Sequence, residues 1–289
     1  MKYLRHSFLL LSYTCTAELN TFGQEIYDVD SSWAVKSETL SEFFGDKQTL
    51  YNKYMEDCRE AAGPESAMHL CDEGEQQRLR MNRLQPAGMR NYTELGFAKI
   101  RAPEEVFLLL AKFWNENGHL AETEWKAVNT YHNMWSSPPK LAYIENTNLS
   151  GSGPALASQI VDASRKVMEE WTGQHLVLCS VFGIRSYFND SILAPHVDRN
   201  PLVTSAIINV AQDVDEDWPL EVWGHDGKPY NITMKPGDMV LYESHSILHG
   251  AFQKKYRFKS IGSCVTKYNA ILSCLLLCVR YRSSLSDAR

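Results

Sequence analysis

Apolar residues in the first part of the chain recur at helical spacing. In the segment 102–118, a proline and two glutamates precede the first apolar residue, and a glycine follows the last one. Proline and acidic residues favour the first turn of a helix, and glycine favours the position just after its end. The segment 153–173 repeats this pattern, and the segment 47–62 has helix-forming composition. Three helices are therefore predicted, the last one ending near Gly173.

After Gly173 the apolar period changes to two, the period of a strand. Short segments rich in valine, isoleucine, tyrosine and tryptophan follow, with turn-type sequences such as GHDGKP and KPGD between several of them. The candidate strands lie within 175–188, 201–212, 220–226, 229–234 and 239–244. Many short strands at close spacing indicate an antiparallel sandwich or barrel. Because helices come first and strands later, the chain is predicted to be an α+β protein.

The N-terminal sequence MKYLRHSFLLLSYTCTAE resembles a secretory signal, with two basic residues, a short apolar core and a cleavage position near Ala17. A buried first helix is the alternative, because Ser12 and Thr14 interrupt the apolar core. Together with the periodicity, this divides the chain into a candidate signal peptide at 1–17, a helical region at 18–100, a main domain at 101–258 and a divergent tail at 259–289.

Two further features fit a secretory route. Glycosylation sequons start at Asn91, Asn148, Asn189 and Asn231. Cys58 and Cys71 could form a disulfide if the compartment is oxidising. We therefore expect the endoplasmic reticulum lumen or secretion as the location, with the cytoplasm as the alternative. The cysteines form no Cys-x-x-Cys pair of the kind that binds structural zinc.

The charge and hydropathy of the chain exclude some classes of function. A formal net charge of −6 disfavours a broad nucleic-acid surface, which requires clustered lysine and arginine. No window reaches the roughly 20 apolar residues that a membrane span needs. We therefore expect neither a nucleic-acid partner nor a membrane span.

Two segments of the strand-rich part carry residues that can bind a metal ion. The segment ILAPHVDRNP contains His196 and Asp198, and residues two apart on a strand point to the same face. The segment GDMVLYESHSILHG supplies His245 and His249 as candidates for a third ligand. Two histidines and one carboxylate that leave other coordination positions open form the facial arrangement of non-haem Fe(II) oxygenases.

Residues 170–258, from FGIRSYFNDSILAPHVDRN through KPGDMVLYESHSILHG, resemble the catalytic domain of prolyl 4-hydroxylase-type, 2-oxoglutarate-dependent dioxygenases. The resemblance implies a jelly-roll core, also called a double-stranded β-helix, that binds Fe(II) through His196, Asp198 and His249. It implies 2-oxoglutarate as co-substrate, dioxygen as oxidant, and ascorbate as a candidate reductant. It also implies a protein or peptide substrate. Because the histidine ligands must be neutral, iron affinity should fall below about pH 6.

Further roles follow from the same resemblance. A basic residue after the distal histidine should bind the far carboxylate of 2-oxoglutarate, and Arg257 is the first candidate and Lys259 the second. Tyr187 is a candidate hydrogen-bond donor to the co-substrate, with an ordinary core tyrosine as the alternative. His245 is the alternative to His249 as metal ligand, and otherwise a loop histidine near the metal.

Beyond ILHG the sequence departs from the family pattern, which continues with a turn and a clean apolar strand that closes the sheet. Two alternative functions are therefore predicted. The first is a dioxygenase that hydroxylates a protein or peptide at prolyl residues. The second is a catalytically inactive jelly-roll module with a binding or structural role. A nucleic-acid demethylase is disfavoured by the acidic charge balance.

Overall fold

The computed structural model describes residues 48–124, 131–177, 180–214, 218–252 and 270–275. The candidate signal peptide lies outside these ranges, and so do Arg257 and Lys259. The predictions made for them remain predictions.

The described residues include the three predicted helices and a further one. The bounds are α1 (Gln48–Ala62), α2 (Gly74–Gly88), α3 (Glu104–Asn117) and α4 (Pro154–Thr172). A π-helical turn, Met68–Glu73, joins α1 to α2, and a 3₁₀ turn, Gly118–Leu120, follows α3. Gly173 has a φ of 65° in the left-handed region, which glycine adopts without strain, and so ends α4 as predicted.

Two antiparallel sheets make up the rest of the described fold. Their strands are β1 (Phe97–Arg101), β2 (Glu122–Thr123), β3 (Lys140–Tyr143), β4 (Gly183–Tyr187), β5 (Ile192–His196), β6 (Ser205–Ala211), β7 (Leu220–Trp223), β8 (Pro229–Ile232), β9 (Asp238–Tyr242), β10 (Leu248–Phe252) and β11 (Ala270–Leu275). The large sheet has the order β1-β9-β6-β11-β4-β3-β2, and the small sheet has the order β5-β10-β7-β8.

From β4 onward the chain crosses between the two sheets. Strands β4, β6, β9 and β11 lie in the large sheet, and β5, β7, β8 and β10 lie in the small one. Eight antiparallel strands divided in this way between two facing sheets form a jelly roll. The predicted α+β class and jelly-roll core are therefore confirmed. Strands β1, β2 and β3 extend the large sheet beyond that core.

Strand β1 begins before the main domain proposed from the sequence, and strand β11 lies after it. Strand β1 pairs with β9 from Phe97 to Arg101, so the boundary at residue 100 falls inside a strand. Strand β11 comes from the segment 259–289, which the sequence treats as a tail, and it lies between β4 and β6. Its sequence, AILSCL, is an apolar run that does not alternate.

Helices α3 and α4 cover the outer face of the large sheet. Val106 and Leu110 of α3 and Ile160 of α4 are fully buried against Ile184 and Ile208 of the sheet. Strand periodicity places the neighbouring residue Ile207 in a second apolar cluster, which fills the interior between the sheets. The jelly roll is therefore packed on both faces of its large sheet.

Helix α1, the π-helical turn and α2 form a separate layer beside the small sheet. Tyr54, Cys58 and Cys71 pack in one buried cluster with Ala194 of β5. The disulfide that the sequence left open is present between Cys58 and Cys71. This layer lies against β5, the strand that carries the first candidate metal ligand.

Among the described residues, none of the helices combines the length and the apolar character that crossing a membrane would require.

Candidate metal centre

The candidate ligands meet at one end of the small sheet. His196 is the last residue of β5, and it lies directly opposite His249 on the neighbouring strand β10. Asp198 follows two residues after His196, and its backbone amide donates to the carbonyl of Ser244 at 2.7 Å. This hydrogen bond ties the segment after β5 to the turn between β9 and β10. Residues far apart in the sequence are thereby brought to one point.

The three side chains have the separations that one shared ion requires. The Oδ1 atom of Asp198 lies 3.6 Å from Nε2 of His196 and 3.7 Å from Nε2 of His249. All three ligand atoms lie within 4.8 Å of one another. An ion about 2.1 Å from each ligand holds neighbouring ligand atoms roughly 3 to 4 Å apart. Small side-chain adjustments therefore suffice for these residues to bind a divalent ion.

Backbone hydrogen bonds orient both imidazole rings. The Nδ1 atom of His196 donates to the carbonyl of Ala194 at 2.9 Å, and Nδ1 of His249 donates to the carbonyl of Ile247 at 2.9 Å. Each histidine thus uses the carbonyl two residues before it. A proton on Nδ1 leaves the lone pair of Nε2 free, which is the form in which imidazole binds a metal.

The electrostatics of the site favour the protonation states of metal ligands. Burial, with a smaller contribution from the neighbouring His196, lowers the pKa of His249 to about 4, although Asp198 opposes the shift. Burial by itself would raise the pKa of Asp198, but a hydrogen bond with His196 and the proximity of His249 keep it below the usual value. The Oδ2 atom of Asp198 also accepts a hydrogen bond from Ser205 at 3.2 Å. The site therefore presents a neutral His249 and an anionic Asp198 near neutral pH.

His245, the alternative third ligand, points elsewhere. One ring nitrogen of His245 contacts the carbonyl of Val203, and the other lies 3.1 Å from the carbonyl of Arg90. Both ring nitrogens of His245 therefore face backbone oxygens rather than Asp198 and His196. The cluster that the structure forms contains His249 instead.

Strand β10 approaches β5 very closely beside the ligands. Between the His249–His196 and Ala251–Leu193 pairs, the register shifts, so that Gly250 lies opposite two residues of β5. A Cβ atom on Gly250 would lie 2.7 Å from the carbonyl oxygen of Leu193. Glycine is therefore required at this bulge. Pro195 is tolerated in β5 because β5 is an edge strand, where a missing backbone N–H leaves no ladder partner unsatisfied.

Aromatic rings surround the site. Tyr242 is fully buried, with its ring centroid 4.5 Å from that of His249. The half-buried Tyr131 lies on the other side, 5.0 Å from the ring of His196. Tyr187 is buried deeper in the interior, where its ring contacts Trp218 at 5.0 Å. Sequence reasoning missed Tyr131 because it lies in a segment without periodicity, and no local signal links it to β5.

Two arginines near the motif have different surroundings. Arg185 forms a two-point ion pair with Glu124, at 2.5 and 2.7 Å. Arg199 is exposed directly after Asp198. The predicted co-substrate anchors, Arg257 and Lys259, lie outside the described residues.

No family model matches the chain, and no curated protein matches it. The solved structures to which it is similar include several oxygenases. One is a prolyl-4-hydroxylase from Pseudomonas putida, with 13% identity, a TM-score of 0.42, and coverage of 65% of this chain and 94% of that one. Another is a prolyl hydroxylase from Trichoplax adhaerens in complex with a hypoxia inducible factor peptide fragment, with 12% identity, a TM-score of 0.43, and coverage of 71% and 92%.

A third is HygX from Streptomyces hygroscopicus with nickel, 2-oxoglutarate and hygromycin B bound, with 11% identity, a TM-score of 0.41, and coverage of 62% of this chain and 81% of that one. These are proteins that the chain resembles in structure.

Proposed function

We propose that this chain is an Fe(II)- and 2-oxoglutarate-dependent dioxygenase that hydroxylates a protein or peptide at prolyl residues. The observation that carries the proposal is the convergence of His196, Asp198 and His249 at the end of a jelly roll. Two neutral imidazoles and one carboxylate on one side of an ion, with the remaining positions open, form the donor set of non-haem Fe(II) oxygenases. The sequence resemblance supplies the co-substrate and the substrate class.

The bound iron and 2-oxoglutarate would supply the oxidation, in which one oxygen atom of dioxygen enters a C–H bond of the substrate and the co-substrate becomes succinate and carbon dioxide. The residues of the chain bind, orient and shield this centre. The Nδ1 hydrogen bonds fix both imidazoles with Nε2 toward the ion. Ser205 holds the second oxygen of Asp198, so that Oδ1 faces the histidines. The buried ring of Tyr242 excludes water behind His249.

The substrate would approach from the side of His196. His249 is 2% exposed and lies toward the packed interior, whereas His196 is half-buried beside Tyr131. An aromatic ring beside the metal provides a flat apolar surface for a prolyl ring. Replacement of Tyr131 by alanine should therefore raise the KM for a proline-containing peptide more than the KM for 2-oxoglutarate.

The central test combines metal binding with turnover. Titration with Mn(II), followed by electron paramagnetic resonance, should show one site in the wild type and none in the His249→Ala variant. With Fe(II), 2-oxoglutarate, ascorbate and a proline-containing peptide, the wild type should release succinate and add one oxygen atom to the peptide. The matched control is His175→Ala, since the side chain of His175 is 96% exposed. A wild type that binds no metal, or variants that bind it equally, would contradict the proposal.

The far carboxylate of 2-oxoglutarate requires a cation inside the protein, because a buried unpaired charge is costly. Within the described part of the chain, Arg78 is the one fully buried arginine or lysine, and its guanidinium binds Glu75 at 2.5 and 2.8 Å. Arg185, with a side chain 14% exposed, is paired with Glu124. We therefore propose that Arg257, or Lys259 in its place, supplies this cation. Alanine at the true anchor should raise the KM for 2-oxoglutarate at least tenfold, whereas alanine at the other position should leave it unchanged.

The second candidate is a jelly-roll module that binds a partner without turnover. The sequence AILSCL of the closing strand β11 has no basic residue to serve as the anchor, which favours this candidate. The same assays separate the two functions. The module would be favoured if the wild type binds Mn(II) and the ligand variants do not, but the wild type releases no succinate with any peptide.

We also propose a secretory location. The disulfide between Cys58 and Cys71 and the exposed asparagines of three sequons, Asn91, Asn148 and Asn189, support it. Protein expressed in a eukaryotic secretory host should lose mass on enzymatic removal of N-linked glycans. Full-length protein that retains residues 1–17 and carries no glycan would argue for the cytoplasm.

A further inference from the structure

Strand β5 carries the first metal ligand at the edge of its sheet. In the small sheet, β5 is the outermost strand and pairs with β10, and on its other side Leu193 forms an isolated bridge with His132. An edge strand leaves one row of backbone N–H and C=O groups without strand partners. Ala194 uses one of these groups, donating to the carbonyl of Tyr131 at 2.7 Å. The groups around His196 must be satisfied in another way.

Helix α2 supplies the missing partners for this edge. Asn82 donates from Nδ2 to the carbonyl of Pro195 at 2.8 Å, and its Oδ1 accepts from the amide of Val197 at 3.1 Å. One side-chain amide thus binds the residue before His196 and the residue after it. Asn82 is 4% exposed, so water cannot easily replace these bonds.

Two more residues on the same face of α2 extend the contact. Gln85 donates from Nε2 to the carbonyl of Asp198 at 2.6 Å and to the carbonyl of His245 at 2.9 Å. Arg78 donates to the carbonyl of Pro195 as well. Positions 78, 82 and 85 lie four and then three residues apart, which is the spacing of one helix face.

The direction of the Arg78 side chain is itself fixed by a buried partner. Arg78 is 1% exposed and Glu75 is 8% exposed, and the guanidinium meets the carboxylate through two parallel hydrogen bonds. A buried ion pair contributes little net stability, because desolvation offsets the attraction. Its bidentate geometry, however, leaves a single direction for the remaining donors of the guanidinium, toward Pro195.

We propose that α2 is the positioning element of the metal centre, with Asn82 as its principal residue. This inference rests on the proposed function, since it assigns to α2 the task of holding His196 and Asp198 at the separation that one ion requires. None of the three α2 residues touches a ligand side chain in the contacts described above. They act through the backbone on either side of His196 and at Asp198, and they are positioning residues rather than catalytic ones.

The consequence is a coupling between the helical layer and metal affinity. Partners that orient metal ligands without binding the ion typically contribute ten- to a hundredfold in affinity. The Asn82→Ala variant should therefore bind Mn(II) at least tenfold more weakly than the wild type. Asn82→Asp keeps the acceptor for Val197 but places a second acceptor against the carbonyl of Pro195, so it should weaken binding similarly. Gln85→Ala should have a smaller effect in the same direction.

The experiment measures metal affinity and ligand geometry on the full chain. Mn(II) affinity is determined by electron paramagnetic resonance, and Co(II) is used as a spectroscopic probe whose visible absorption reports the arrangement of the ligands. Urea unfolding of each metal-free variant shows whether it remains folded. The matched control is Gln77→Ala, an exposed amide on the solvent face of α2, which should bind both ions as the wild type does.

Each outcome bears on the proposal. Weaker Mn(II) binding and an altered Co(II) spectrum in folded Asn82 and Gln85 variants support it. If Asn82→Ala does not fold, Asn82→Asp and Gln85→Ala carry the test. Affinities within twofold of the wild type in folded variants would overturn it and leave the proposed function intact. Metal binding that depends on Asn82, in a protein that never releases succinate, would instead support the positioning role and overturn the dioxygenase. A wild type that binds neither ion would overturn both.

Discussion

The disulfide between Cys58 and Cys71 gives the sharpest quantitative prediction. Its cysteines are 13 residues apart in sequence and join the end of α1 to the π-helical turn before α2. Closing a loop of about this length removes conformational freedom from the unfolded chain, worth about 3 kcal/mol in the loop-entropy account. Both cysteines are nearly fully buried. The Cys58→Ala/Cys71→Ala variant is therefore preferable to serines, because serines would add buried hydroxyl groups.

Equilibrium urea unfolding of the oxidised wild type and of the double variant should show a loss of about 3 kcal/mol in the free energy of unfolding. Adding a reductant to the wild type should reproduce most of this loss, and it should leave the double variant unchanged. Equal unfolding free energies for the oxidised wild type and the double variant would refute the reasoning. So would two free thiols at positions 58 and 71 in peptide mass spectra of protein purified under oxidising conditions.

Three further predictions concern stability. Burial lowers the pKa of His249 to about 4, whereas histidine ordinarily has a pKa of about 6.5, so the unfolded state binds more protons between these values. The free energy of unfolding of the metal-free protein should therefore fall by about 3 kcal/mol as the pH is lowered from about 6.5 to about 4. Urea unfolding in chelator should show this slope, and His249→Leu should lack most of it. Ile160→Ala removes a fully buried side chain and should cost about 2–5 kcal/mol by the same assay, whereas Gln159→Ala on the exposed face should cost less than about 0.5. Glu243→Gln loses some of the three hydrogen bonds that this buried carboxylate accepts from the turn before β1, at a cost of about 1–3 kcal/mol; an unchanged melting temperature would show that they contribute little.

Local patterns were sufficient for much of the fold. The proline, acidic and glycine signals around α3 and α4 marked both helices, because the residues that favour helix ends act within one turn. His196 and Asp198 do lie in one cluster, as their spacing suggests, although β5 ends at His196 and Asp198 follows it outside the strand. The jelly roll itself came from the resemblance of two motifs, and the alternation of strands between the sheets confirms it.

Other features depend on contacts that leave no local trace. Arg78, Asn82 and Gln85 form a polar stripe on α2, and such a stripe ordinarily indicates a solvated face. Their partners are backbone groups more than a hundred residues away, which no side-chain pattern records. Strand β11 was assigned to a tail because it does not alternate. Its pairing with β4 and β6 depends on strands distant in the sequence, which its own composition does not record.

The bulge at Gly250 restricts how the site can change in evolution. A methyl group there would meet the carbonyl of Leu193 and the nitrogen of Pro195, at 2.7 and 2.8 Å, and would force β10 away from β5. His249 is the adjacent residue, so it would be carried off together with the backbone. A position that bonds to no ion and no substrate is therefore as intolerant of replacement as the ligand beside it. In a saturation library selected for activity, the two neighbouring codons should be depleted of variants to the same degree, although only one of them encodes a ligand.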